Sequence, residues 1–181
     1  MSRFIYSFFF KLFGWKIKGN IPNELKKYVM IVAPHTSNID FFVGLATRSI
    51  LRLDTKYLAK KELFRPPLGW IFYALGGYPV DRSKPGKLVE KVAEIYNNHD
   101  KFSICITPEG TRKYAAEWKT GFHKIAMAVK TPVVMVAFDY RTKSVVIAPP
   151  FTPSDDTQGD IEKIKVWYRQ FEGKVPEYGV K

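Results

Sequence analysis

Short β-branched runs and longer segments with an apolar residue at every third or fourth position take turns along this chain. The runs 28–33 (YVMIVA), 56–59, 78–80, 102–106, 133–138 and 144–148 have the length and composition of strands. Segments 40–51, 87–97, 118–129 and 160–171 read as helices. In 87–97 the inward stripe is Leu88, Val89, Val92, Ala93 and Tyr96; in 118–129 it is Phe122, Ile125, Ala126 and Val129. Segment 67–75 (PLGWIFYAL) is apolar on every side, which suits either a core helix or a second element touching lipid, and Gly76-Gly77 ends it. Strands and helices that alternate in this way predict an α/β single domain with a largely parallel central sheet flanked by helices. Loops after the carboxyl ends of such strands are where chemistry is placed.

The first fifteen residues (MSRFIYSFFFKLFGW) break this pattern. At about 100° per residue, Arg3, Ser7, Lys11 and Gly14 form one narrow polar stripe, and apolar residues fill the remaining arc. A helix of that length spans about 22 Å, short of the ~30 Å hydrocarbon core of a bilayer. The segment lacks a small-residue cleavage site, so a removable signal peptide is not expected. One reading packs this helix on the protein's own core. Five phenylalanines with a Tyr and a Trp, beside two cations, favour a helix lying in a membrane interface, with Lys16 and Lys18 available to anionic headgroups. Residues 1–16 are therefore expected to attach to a membrane and residues 17–181 to form the α/β domain, with no linker or repeat between them.

Composition narrows the field only slightly. The 181 residues carry 29 Lys+Arg against 17 Asp+Glu, a net charge of +12, which favours an anionic partner. The single cysteine, Cys105, excludes an intramolecular disulfide and any multi-cysteine zinc site, and no metal site is expected. Nucleic acid is not an expected partner, because the chain shows no aromatic RNA-binding pair, zinc spacing or recognition-helix signature.

Three short motifs follow strands or precede helices. In Pro34-His35-Thr36-Ser37-Asn38-Ile39-Asp40, the histidine and the aspartate are five apart, a spacing that a continuous helix would splay by about 140°. They meet only if Thr36, Ser37 and Asn38 make a turn, which these residue types favour. An Asp on one imidazole nitrogen fixes the tautomer and frees the other nitrogen to take a proton. The same residues, Ser37-x-x-Asp40, also read as a plain helix capping box. Gly76–Ser83 (GGYPVDRS) offers a turn, a short strand and Arg82, and in isolation reads as a helix end with a surface ion pair. In Thr107-Pro108-Glu109-Gly110-Thr111-Arg112 the glycine permits close backbone approach and the arginine presents a planar fork for a phosphate. Arg82, Arg112 and Lys60 together suit a phosphate pocket.

The order and separation of these motifs resemble the glycerolipid acyltransferase family, typified by the 1-acylglycerol-3-phosphate acyltransferases, over residues 28–138. His35 and Asp40 match its His-x4-Asp block, which implies a general-base pair. The segment from Gly77 to Arg82 matches the block whose arginine contacts the acceptor phosphate. Glu109, Gly110, Thr111 and Arg112 match the Glu-Gly-Thr-Arg block, also assigned to acceptor binding, and residues 131–136 (TPVVMV) match the apolar block near the acyl site. The sequence departs from the family at Pro34 for Asn, Pro79 for an apolar residue, Lys113 for Ser and Met135 for Pro, and it is short for the family. None of these removes a proposed catalytic atom.

The resemblance implies transfer of an acyl group from a thioester, carried by coenzyme A or acyl carrier protein, to the free hydroxyl of a lysophospholipid, with lysophosphatidate the favoured acceptor. No further cofactor is expected, and the expected location is the cytoplasmic face of a membrane, attached peripherally. The competing expectations are a lipid-binding membrane protein without catalysis and a lipid hydrolase that uses the same two residues to activate water.

Overall fold

A computed structural model describes residues 3–80 and 85–181. In chain order the elements are α1 (Arg3–Leu12), β1 (Lys16–Lys18), β2 (Lys27–Ala33), α2 (Ile39–Ile50), β3 (Thr55–Lys60), α3 (Gly69–Ala74), β4 (Gly77–Val80), α4 (Pro85–Asn97), β5 (Phe102–Ile106), α5 (Gly121–Ala128), β6 (Val133–Asp139), β7 (Ser144–Ile147) and α6 (Thr157–Tyr168). The seven strands form one sheet in the order β1-β7-β6-β2-β5-β3-β4. Every neighbouring pair is parallel except β6 and β7. The expected α/β domain with a largely parallel sheet is what the chain forms.

β2 lies between β5 and β6 at the centre of the sheet, and six of its seven residues are buried. Successive side chains on a strand point to opposite faces, so a run without polar residues must be covered on both. Val29, Ile31 and Ala33 enter a core with Val92 and Tyr96 of α4, Phe122 and Ile125 of α5, and Ile161, Ile164 and Tyr168 of α6. Tyr28, Met30 and Val32 enter a second core with Phe10 of α1 and Val43 and Ala46 of α2. Three helices thus cover one face, and α1 and α2 the other. Buried tyrosines satisfy carbonyls within these layers: the Tyr168 hydroxyl donates to Ile31 O at 2.8 Å and that of Tyr96 to Tyr28 O at 2.8 Å.

Several boundaries move, each for a local reason. Residues 118–120 are not helical, because Lys119 N–H bonds Pro108 O at 2.7 Å and ties them to the preceding loop; α5 starts only at Gly121. α6 begins three residues earlier than its apolar stripe suggests, where the Asp156 carboxylate accepts from Gly159 N–H at 2.9 Å as an N-cap. β1 has no apolar signature and forms by pairing with β7. Segment 67–75 is not a core helix: α3 has six residues, of which Gly69 is the buried one, and Trp70 is 69% exposed. α1 docks on the core through Phe10, which lies beside Trp15 with ring centroids 5.7 Å apart, whereas Phe4, Phe8, Phe9, Leu12 and Phe13 are exposed. Among the described residues, no helix is long and apolar enough to cross a membrane.

Ile31, fully buried at the sheet centre, gives a direct measure of this packing. Ile31→Ala is expected to lower unfolding free energy by about 2–5 kcal/mol, read from urea midpoints.

Candidate active site

β2 delivers the His35 loop at its carboxyl end, and the first turn of α2 delivers Asp40. The turn expected between them exists. His35 Nδ1 lies 3.1 Å from Asp40 Oδ2, and the same oxygen accepts Thr36 N–H at 2.8 Å and Ser37 N–H at 2.9 Å. The capping box that Ser37-x-x-Asp40 suggests is not completed: the N-cap is Asn38, which makes no side-chain cap bond, and Ser37 Oγ accepts Ile39 N–H at 3.2 Å. The Asp40 carboxylate instead reaches back to the Thr36 and Ser37 amides, and in doing so it comes to rest against the imidazole. With Nδ1 facing Asp40, the ring's other nitrogen, Nε2, is left for a reacting group.

The other Asp40 oxygen, Oδ1, accepts the Tyr140 hydroxyl at 2.6 Å. The Asp40 side chain is 1% exposed, against 19% for His35. Burial opposes ionisation of Asp40, yet hydrogen bonds from His35, Tyr140 and Ser37 outweigh it and hold the carboxyl below its usual value. Nothing in the sequence near Tyr140 marks it. It follows β6, a hundred positions from its partner.

A second carboxylate pins the loop from the opposite side. Both oxygens of Glu109 lie 3.1 Å from His35 N–H, and the residue is 4% exposed. Glu109 is thus turned to the His35 backbone amide. Burial, with a contribution from the Asp40 charge, pushes Glu109 up to about 7 against the opposing hydrogen bond. Next to it, Gly110 has φ +68°, and a Cβ there would press on the Lys119 stem at 3.2 Å, so glycine suits the position on both counts.

His35, Asp40, Gly110, Arg112 and Lys119 line one cavity of about 940 Å³. It follows α2 from Asp40 to Arg48, about 12 Å of helix, and reaches Leu51 just beyond the helix end. Met30, Val32, Leu53, Val136, Phe138 and Ile147 make its wall apolar. The block at 131–136 thus reaches the cavity through Val136. Cys105 also lines it, but burial pushes its thiol up to about 12, which leaves it a poor nucleophile.

The remaining expected phosphate ligands separate. Arg112 is at the cavity, joined by Lys119, which the motifs had not singled out. Thr111 is exposed, and its hydroxyl accepts Lys113 N–H at 3.2 Å. Lys60 is exposed at the end of β3 and is not part of the cavity wall. Arg82 lies outside the described residues.

The model of the Acyltransferase family matches residues 15–139. Three relatives named 1-acyl-sn-glycerol-3-phosphate acyltransferase align with it. The Escherichia coli (strain K12) protein is 29% identical over 142 residues, 74% of this chain and 57% of the relative. That of Saccharomyces cerevisiae is 31% identical over 144 residues, 75% of this chain and 46% of the relative. That of Cocos nucifera is 28% identical over 150 residues, 74% of this chain and 48% of the relative. The chain thus spans about half the length of the curated relatives it matches. In fold it is similar to the crystal structure of the 1-acyl-sn-glycerophosphate acyltransferase PlsC of Thermotoga maritima, with a TM-score of 0.64, 18% identity, and coverage of 93% of this chain and 77% of that one.

The raised Glu109 carboxyl carries a pH signature. A group with a higher pKa folded than unfolded binds more protons in the native state, so it lowers stability as pH rises from about 4.5 to about 7. In Glu109→Gln that part of the decline is expected to vanish, measured as urea midpoint against pH.

Proposed function

Because this chain belongs to the acyltransferase family, we propose that it moves a fatty acyl group from an acyl thioester to the free hydroxyl of a lysophospholipid, with lysophosphatidate the favoured acceptor. The observation that carries the reading is the His35–Asp40 pair, 3.1 Å apart, set in a cavity whose wall is mostly hydrocarbon but which also holds Arg112 and Lys119. An acceptor with an anionic head and a thioester with an apolar tail need those two surfaces side by side.

In the proposed reaction, His35 Nε2 takes the acceptor hydroxyl proton as that oxygen attacks the thioester carbonyl. An ester bond forms, the carbon–sulfur bond breaks, and the proton passes from the imidazolium to the departing thiolate. Asp40 fixes the tautomer and stabilises the imidazolium. Arg112 and Lys119 hold the acceptor's phosphate and so place its hydroxyl near the base; such positioning lowers a barrier by several kcal/mol. The apolar stretch along α2 takes the acyl chain. No protein nucleophile enters this scheme. The outward aromatic residues of α1 and the exposed Phe42 of α2 seat the protein in a bilayer surface, where acceptor and product reside.

Purified protein offered lysophosphatidate with acyl-coenzyme A or acyl carrier protein is expected to release thiol and form phosphatidate by mass spectrometry, and the comparison assigns the donor. Free fatty acid in place of phosphatidate would show a hydrolase, and no thiol release a binding protein. His35→Ala should cut turnover by about 10²–10⁴-fold with folding intact. Arg112→Ala should raise the acceptor KM by roughly ten-fold, since a bond to a charged group is lost. On vesicles containing anionic phospholipid, Phe4→Asp with Phe8→Asp is expected to lower the bound fraction by roughly ten-fold in flotation.

A further inference from the structure

We propose that Tyr140 is a positioning residue for the base pair, its hydroxyl holding Asp40 Oδ1 so that Oδ2 stays turned to the imidazole. The inference rests on reading His35 and Asp40 as the general-base pair. Asp40 Oδ2 already serves the Thr36 and Ser37 amides and His35 Nδ1. Oδ1 has the Tyr140 hydroxyl, at 2.6 Å, as its hydrogen-bond donor among the described residues.

A terminal carboxylate torsion is broad and two-fold, so three donors on one oxygen do not by themselves fix its plane. A donor on the other oxygen does. Asp40 is 1% exposed, which leaves little room for water to take over that task.

The tyrosine is itself held on several sides. The Trp15 ring meets it edge-on with centroids 5.0 Å apart, and Lys174 Nζ lies 5.7 Å from its ring centre. Its own N–H donates to Glu172 O at 2.8 Å. Burial, and then the Asp40 carboxylate, push the phenol above its usual value, so it remains a donor throughout the working range. A side chain fixed in this way transmits position rather than merely filling space.

The test is Tyr140→Phe in the full chain, which keeps the ring against Trp15 and Lys174 and deletes only the hydroxyl. For acyl transfer to lysophosphatidate, kcat is expected to fall about ten-fold. Both KM values should stay within about two-fold, and the melting midpoint within a few degrees. On an Asp40→Asn background the same change should cost nothing further, because the hydroxyl acts through that carboxylate. An unchanged kcat, a loss carried by KM, or a full ten-fold loss added to Asp40→Asn would overturn the assignment. The ring Nδ1 resonance of His35, identified by its absence in His35→Ala, gives a readout independent of turnover. It must shift in Tyr140→Phe, and an unmoved signal overturns the role as well. If the wild-type chain transfers no acyl group yet Tyr140→Phe shifts this resonance, the function proposed above is overturned and the part played by Tyr140 in holding the pair stands.

Discussion

A single buried negative charge organises this site. Taking the Asp40 carboxylate out of water is unfavourable unless several donors converge on it. Two come from the backbone of the turn it closes, one from His35 and one from Tyr140. Satisfying that charge therefore dictates the path of residues 35–40 and the side of the imidazole that faces inward. The amides that stabilise the ion are the ones that shape the loop.

Glu109 acts on the same loop from the end of a neighbouring strand. β5 lies next to β2, so the turn after it brings a second carboxylate beneath His35 N–H. Two acids in one small volume cannot both be at ease, and Asp40 has the larger share of donors. Burial, with a smaller contribution from the Asp40 charge, leaves Glu109 with a raised pKa. The sheet order thus decides the electrostatics as well as the shape.

α4, α5 and α6 cover one face of the sheet with large buried side chains, including Tyr96 and Tyr168, and α1 and α2 cover the other. The cavity runs along α2 and also takes Leu88 of α4 and Phe122 and Ile125 of α5 into its wall. The helix that presents Asp40 in its first turn also lines the cavity further along, through Phe42, Gly44 and Leu45, while Met30, Val32 and Val136 of the strands complete the apolar wall. Chemistry and hydrocarbon space are thereby kept in register by one rigid element.

Strands β2 to β7, the sheet's largely parallel character and the three short motifs were legible in the chain, because hydrophobic period and turn-forming residues are local properties. So was the turn joining His35 to Asp40, which lies within six consecutive residues. The edge strand Lys16–Lys18, the exposed α3 and the late start of α5 were not, since each depends on what lies opposite: β7, solvent, or the Pro108 carbonyl. Glu109 could be recognised as part of a motif, but only the pairing of β2 with β5 decided that it faces the His35 amide. Tyr140 gave no signal at all. A hydrogen bond between residues a hundred positions apart leaves no trace in local pattern, and the fold alone decides which distant donor completes a buried charge.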